Sequence, residues 1–100
     1  MTMLVYSVRA VLADADERGR YLDWLLGGHV DAVLAGGALT GEVTALDDGS
    51  VESRYTFASR ESFAAYETEV APKLRADGVG RFPGAVFTRT VGERLVSAGP

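Results

Sequence analysis

A single imidazole, His29, and three charged residues carried on candidate strands, Arg9, Glu42 and Arg54, are the side chains of this 100-residue chain with the clearest capacity for chemistry. His29 is the one group whose ordinary pKa lies near neutrality, which suits proton transfer or ligand contact. It falls on a stripe with Leu22, Leu25, Leu26 and Val33 at helical spacing, so it points between helix and sheet, where loss of water favours the neutral ring. The spacing predicts a core histidine satisfied by a backbone carbonyl or a strand side chain, with proton transfer or ligand contact as the alternative. Haem ligation would need a wide cavity, and no other residue pattern marks one.

Arg9, Glu42 and Arg54 fall out of phase with the apolar residues of their strands, which places them on a sheet face away from the helices. Ser7 joins them, with Thr44, Thr56 and either Thr88 or Thr90. Guanidinium forks suit carboxylates, so such a face could grip a small anionic or polar molecule. The competing reading is that Glu42 pairs with Arg54 or Arg9 across strands and needs no ligand. The candidate ligand-binding set is thus Arg9, Glu42, Arg54, Ser7 and His29. No catalytic residue is assigned, because no nucleophile stands beside a base and no carboxylate dyad is visible.

Composition removes several classes of function. Without cysteine, and with one histidine, the chain has no disulfide framework, no thiolate zinc site and no histidine pair for a metal, and no cofactor is expected. A net charge of −4, with ten basic residues scattered among fourteen acidic ones, counts against nucleic acid. No apolar run reaches the length of a bilayer span, and Met1-Thr2-Met3-Leu4 has none of the segments of a secretion signal, so the expectation is a cytoplasmic protein without membrane association. Nine Arg to one Lys, with no Ile, Asn or Gln, is the mark of a GC-rich bacterial genome; arginine abundance alone therefore carries no chemistry.

The elements that must hold these residues follow from periodicity. Alternation predicts a strand over 3–12, with Leu4, Tyr6, Val8, Ala10 and Leu12 on one face. Asp14 or Asp16 caps a helix opening near Ala15, Glu17 completes a capping box, and Gly36-Gly37 ends it. In an uninterrupted helix Trp24 projects opposite His29; a kink at Gly27-Gly28 would instead pack it against the second helix. Strands over 38–46 and 51–58 flank Asp47-Asp48-Gly49-Ser50, a hairpin signal. Ser59 caps a second helix that breaks at Pro72, restarts briefly through Arg75 and stops at Asp77-Gly78. A loop over 79–84 follows, in which Phe82 closes the core and Arg81 caps a helix end. The last strand covers 85–95.

This order, βαββαβ, predicts a single α+β domain over 1–96 with a flexible tail over 97–100. Its expected form is ferredoxin-like, with a four-stranded antiparallel sheet and two helices on one face. Val5, Val11, Val43 or Leu39, Val86 or Phe87, and Val91 are the candidate apolar residues of the open face. Two such faces together bury each other, which predicts a homodimer through the open sheet face enclosing a barrel-like interior.

Tyr21-Leu22-Asp23-Trp24-Leu25, His29-Val30, Tyr66, Ala71-Pro72-Lys73-Leu74-Arg75, Gly78, Arg81-Phe82-Pro83-Gly84 and Arg89 resemble a small bacterial family of unknown function in the dimeric α+β barrel superfamily. Such proteins often carry a Pro after the His-Val pair, where this chain has Asp31. The resemblance implies the same fold and dimer but transfers no activity. The expected function is a homodimeric small-molecule-binding or structural domain. The alternative is a cofactor-free monooxygenase, isomerase or cyclase acting in the barrel interior.

Overall fold

The computed structural model describes residues 2–100, so Met1, part of the segment read for a secretion signal, lies outside it. Strand β1 (Leu4–Val11) leads to helix α1 (Ala15–Trp24), a wider π-type turn (Leu25–His29) and helix α2 (Val30–Ala35). The hairpin β2 (Thr40–Ala45) and β3 (Val51–Phe57) follows, then α3 (Arg60–Glu69), α4 (Ala71–Arg81) and β4 (Val86–Glu93). The sheet order is β2-β3-β1-β4 and every pairing is antiparallel, as the βαββαβ order requires.

Local chemistry sets these boundaries. Asp14 accepts a hydrogen bond from the Glu17 amide at 2.8 Å, and Glu17 reaches back to accept from the Ala13 amide at 2.9 Å, so two amides at the start of α1 find partners. Gly49 takes φ 90° in the hairpin turn, and the Asp48 carboxylate accepts from the Ser50 amide. Ser59 caps α3 through the Ser62 amide, and Pro72 sits in the first turn of α4, where its missing N–H costs nothing.

Register assigns every strand residue to a face. Leu4, Tyr6, Val8 and Ala10 of β1 stand level with Phe57, Tyr55, Ser53 and Val51 of β3, and all of these meet the helices. Two apolar clusters fill that side. One gathers Leu4, Tyr6, Val33, Tyr55, Phe57 and Tyr66; the other gathers Ala10, Tyr21, Leu25, Val51 and Phe82.

Several expectations change here. Helix α4 does not stop at Asp77-Gly78 but continues to Arg81. The reason is close approach: a Cβ on Gly78 would lie 3.2 Å from the Trp24 ring, so this glycine lets a helix pass under an indole and does not end one. Arg81 pairs with Asp77 one turn back at 2.8 Å, and Phe82 is buried as expected. Val5, Val11 and Val86 lie on the open face, whereas Val43, Phe87 and Val91 are in register with helix-facing residues, which leaves the open face more polar than expected. Beyond Glu93, the Arg94 amide donates to the Met3 carbonyl and residues 95–100 are exposed without regular structure.

Candidate functional site

The five candidate ligand residues are divided between two sides of the sheet. Ser7, Arg9, Glu42 and Arg54 share the open face, as their phase predicts. There Arg9 pairs with Asp48 at 2.7 Å and Arg54 with Glu52, two residues away on its own strand, at 3.1 Å. The expected pairing of Glu42 with Arg54 or Arg9 does not form, although Glu42 and Arg54 are directly level. Each guanidinium has found a nearer carboxylate. The Ser50 hydroxyl, then the Ser50 amide and Arg9, hold the Asp48 carboxyl down at about 2.

His29 lies on the opposite side, in the wall of a partly open cavity of about 40 Å³ between helices and sheet. The cavity occupies the seam between the two apolar clusters, bounded by Tyr6, Tyr55, Tyr66 and Val33 of one and Tyr21 and Leu25 of the other. Arg75 and Leu74 of α4, Ser53 of β3, and Phe87 and Arg89 of β4 also line it. Space of this size holds a few water molecules or the polar head of a ligand whose remainder leaves through the open side.

The π-type turn fixes the position of His29. On a regular helix, residues five apart are separated by about 140° around the axis, so an uninterrupted helix would hold Trp24 and His29 on opposite sides. A turn of the i→i+5 type brings them onto one side. Their rings stack with centroids 4.0 Å apart at 23°. Gly28 makes the turn possible with φ 153°, a backbone region closed to most residues. The glycine-kink alternative is therefore the one realised, and Trp24 packs against α4: its Nε1 donates to Asp77 at 3.2 Å and its ring covers Gly78.

Among the described residues His29 makes no hydrogen bond, so the expected carbonyl or strand partner is absent. The expected neutral state does hold: burial pushes its pKa down to about 4, and the Asp77 carboxylate only partly opposes this. Burial likewise raises the phenols of Tyr21 and Tyr66 to about 12, and that of Tyr55 higher still. The Ser53 hydroxyl lies near enough to Tyr21 and Tyr55 to temper both phenols, yet Ser53 Oγ and Tyr55 OH are buried without a well-formed hydrogen bond.

Two arginines of the cavity differ in how far they are satisfied. Arg75 donates twice to Glu67, at 2.8 and 2.7 Å, and once to the Tyr6 hydroxyl at 3.0 Å, while its buried Nε has no partner. The Glu67 carboxylate, first among its neighbours, drives the Arg75 pKa upward, so its charge is permanent. Arg89 forms no ion pair among the described residues; its guanidinium carbon lies 5.6 Å from the centre of the Phe87 ring. The arrangement can donate hydrogen bonds from hydroxyls, hold negative charge with Arg89, and take a proton on a neutral imidazole.

Ser53 is absent from the residues singled out by sequence, and Arg89 enters there only through the family resemblance. Their signal is polarity in the apolar phase of a strand, Ser53 between Val51 and Tyr55 and Arg89 between Phe87 and Val91, whereas the ligand candidates taken from periodicity are residues out of phase. None of the described residues forms a cluster suited to a metal ion, and no helix is long and apolar enough to cross a membrane.

No protein-family model and no curated protein sequence matches the chain. Solved structures are similar to it over nearly its whole length. A dimeric ferredoxin-like protein from an uncultured marine organism has a TM-score of 0.83 at 14% identity, covering 98% of this chain and 100% of its own. The ActVA-Orf6 monooxygenase of Streptomyces coelicolor, in complex with nanaomycin D, has a TM-score of 0.78 at 13% identity, covering 99% and 93%. SnoaB, a cofactor-independent oxygenase of Streptomyces nogalater, has a TM-score of 0.75 at 7% identity, covering 95% of each chain. Likeness at such identities is likeness of fold, and the fold implied by the sequence resemblance is the one found. The chain has the ferredoxin-like α+β fold that these dimeric and oxygenase structures share.

Proposed function

We propose that the protein binds a small organic anion, and that the ligand's oxygen head enters the helix-side cavity. One observation carries this reading: polar residues set in the apolar phase of β3 and β4 converge on the seam of the core, where Ser53 Oγ, Tyr55 OH and Arg75 Nε remain buried and unpaired. A folded chain rarely tolerates such groups for stability alone, since each unmet bond costs about 1–3 kcal/mol. A ligand oxygen would give them a partner, and Arg89 would supply its countercharge. The open face is the weaker candidate because its arginines are already neutralised by neighbouring carboxylates.

A thermal-shift series with benzoate, salicylate and short aliphatic acids tests the site, because a ligand that binds only the folded state raises its melting temperature. The expected result is stabilisation of the wild type and of Arg54→Ala, lost in Arg89→Ala. Stabilisation that survives Arg89→Ala and disappears in Arg54→Ala would move the site to the open face.

A second copy covers that open face in this proposal. Val11 and Val86 are 43% and 63% exposed on it, the charges there have both signs, and one of the similar structures is described as dimeric. Sedimentation equilibrium at micromolar concentration should give twice the 10.6 kDa of the chain; a monomer would remove the interface.

Cofactor-independent oxygenation is the second reading, favoured by the aromatic walls of the cavity and by the likeness to SnoaB and the Streptomyces coelicolor monooxygenase. Oxygen uptake in the presence of an ionisable phenol that stabilises the protein would support it. A ligand that binds and is recovered unchanged under oxygen would leave a binding protein.

A further inference from the structure

We propose that an anion entering this cavity draws one proton onto His29, so that ligand and proton bind together; the inference rests on the cavity being the ligand site. The imidazole forms part of the cavity wall, has no hydrogen-bond partner among the described residues, and is fixed in orientation by its stack on Trp24. The indole face attracts a cation, so the stack favours the imidazolium more than the neutral ring.

The groups facing this ring leave one role unfilled. Asp77 of α4 favours the proton but already accepts from Arg81 and from Trp24 Nε1. Arg75 of α4 and Arg89 of β4 line the same cavity with cationic side chains, and burial keeps the Tyr21, Tyr55 and Tyr66 phenols un-ionised. With Asp77 already engaged and the other neighbours cationic or neutral, an imidazolium has no counter-ion of its own among the described residues, and burial keeps the ring uncharged. A bound carboxylate would be that counter-ion. Coupling is reciprocal: whatever factor the anion adds to the proton affinity of His29, the proton adds to the affinity for the anion.

The proton balance depends on how the ligand arrives. An anion from solution binds with uptake of one proton from solvent onto a free ring nitrogen. A ligand arriving as the acid loses its O–H bond, the electron pair stays on oxygen beside Arg89, and the same proton passes to the imidazole without net uptake.

Benzoate is a suitable probe, being ionised throughout the range from about pH 6 to about pH 8, as an ordinary carboxyl is. Calorimetric titration of the full chain should show Kd rising with pH, roughly tenfold for each unit below the midpoint that His29 takes in the complex and levelling off above it, and a binding heat that below that midpoint varies with buffer so as to report one proton absorbed. His29→Gln should bind with a Kd that does not change over the range and with no buffer dependence. The sole histidine also gives a single imidazole resonance in the wild type, whose titration midpoint should move from the acidic to the neutral range when benzoate is added. A wild-type Kd independent of pH, with an unmoved resonance, would overturn the coupling and leave the ligand site standing. Failure of benzoate and of every acid in the thermal series to bind would remove both.

Discussion

Each face of the sheet carries arginines, and they are in opposite condition. On the open face Arg9 and Arg54 are half-exposed in the single chain, each with a carboxylate within about one hydrogen-bond length. On the helix side, among the described residues, Arg89 pairs with no carboxylate, Arg75 keeps a buried Nε without a partner, and the Ser53 and Tyr55 hydroxyls are unpaired. The open face has more charge and less left undone. A density of charged residues is thus a poor guide to a binding site in this molecule, while unmet hydrogen-bonding capacity at a packing seam is a good one.

The contrast can be broken or sharpened by substitution. The largest effect belongs to Phe57→Ala on the helix side: the ring is fully buried and contacts Phe63 and Tyr66 with centroids 5.2 Å away, so urea unfolding should show a loss of about 3–5 kcal/mol. Gly78→Val should cost about 1–3 kcal/mol by overpacking, because the new side chain meets the Trp24 ring. A cost below that range would show that the indole can move and that the cavity wall is soft.

Acidification singles out the helix side through His29. Its pKa is about 4 in the folded chain against 6.5 in the reference state, so the unfolded chain takes the proton first. The histidine's contribution is complete above about pH 6.5 and is lost as pH falls toward 4, a change of about 1–2 kcal/mol once its partial exposure is allowed for. The difference in unfolding free energy between wild type and His29→Gln, followed over that window, should carry this slope. The smallest effect is on the open face: Arg54→Ala should cost the dissociated chain less than about 1 kcal/mol, since its pair with Glu52 is exposed and Glu42 does not depend on it. A loss of several kcal/mol there would mean that the face is dry and that the two sides are alike.

The legible and illegible parts of this molecule divide along physical lines. Strand alternation, the caps at Asp14 and Ser59, the Asp-Gly hairpin and the break at Pro72 are local signals, and each reappears in the structure within a few residues. The open-face positions of Ser7, Arg9, Glu42 and Arg54 follow from the period of two. What the sequence could not show arises between elements. The stack of His29 on Trp24 needs a π-type turn, and two glycines announce a departure from the helix without saying which one. The continuation of α4 through Gly78 depends on a ring arriving from another helix. The pairing of Arg54 was decided by Glu52 on its own strand, a choice between carboxylates at similar reach that periodicity cannot make.

The stack on the cavity wall also makes the protein its own optical instrument. Trp24 is the only tryptophan in the chain, so near-ultraviolet excitation at the red edge of the protein band addresses that one ring. Its face touches the imidazole, its N–H is held by Asp77, and its edge lies over the backbone of Gly78. Emission from this residue therefore registers the state of His29, the seating of α4 and the filling of the cavity together, without a label.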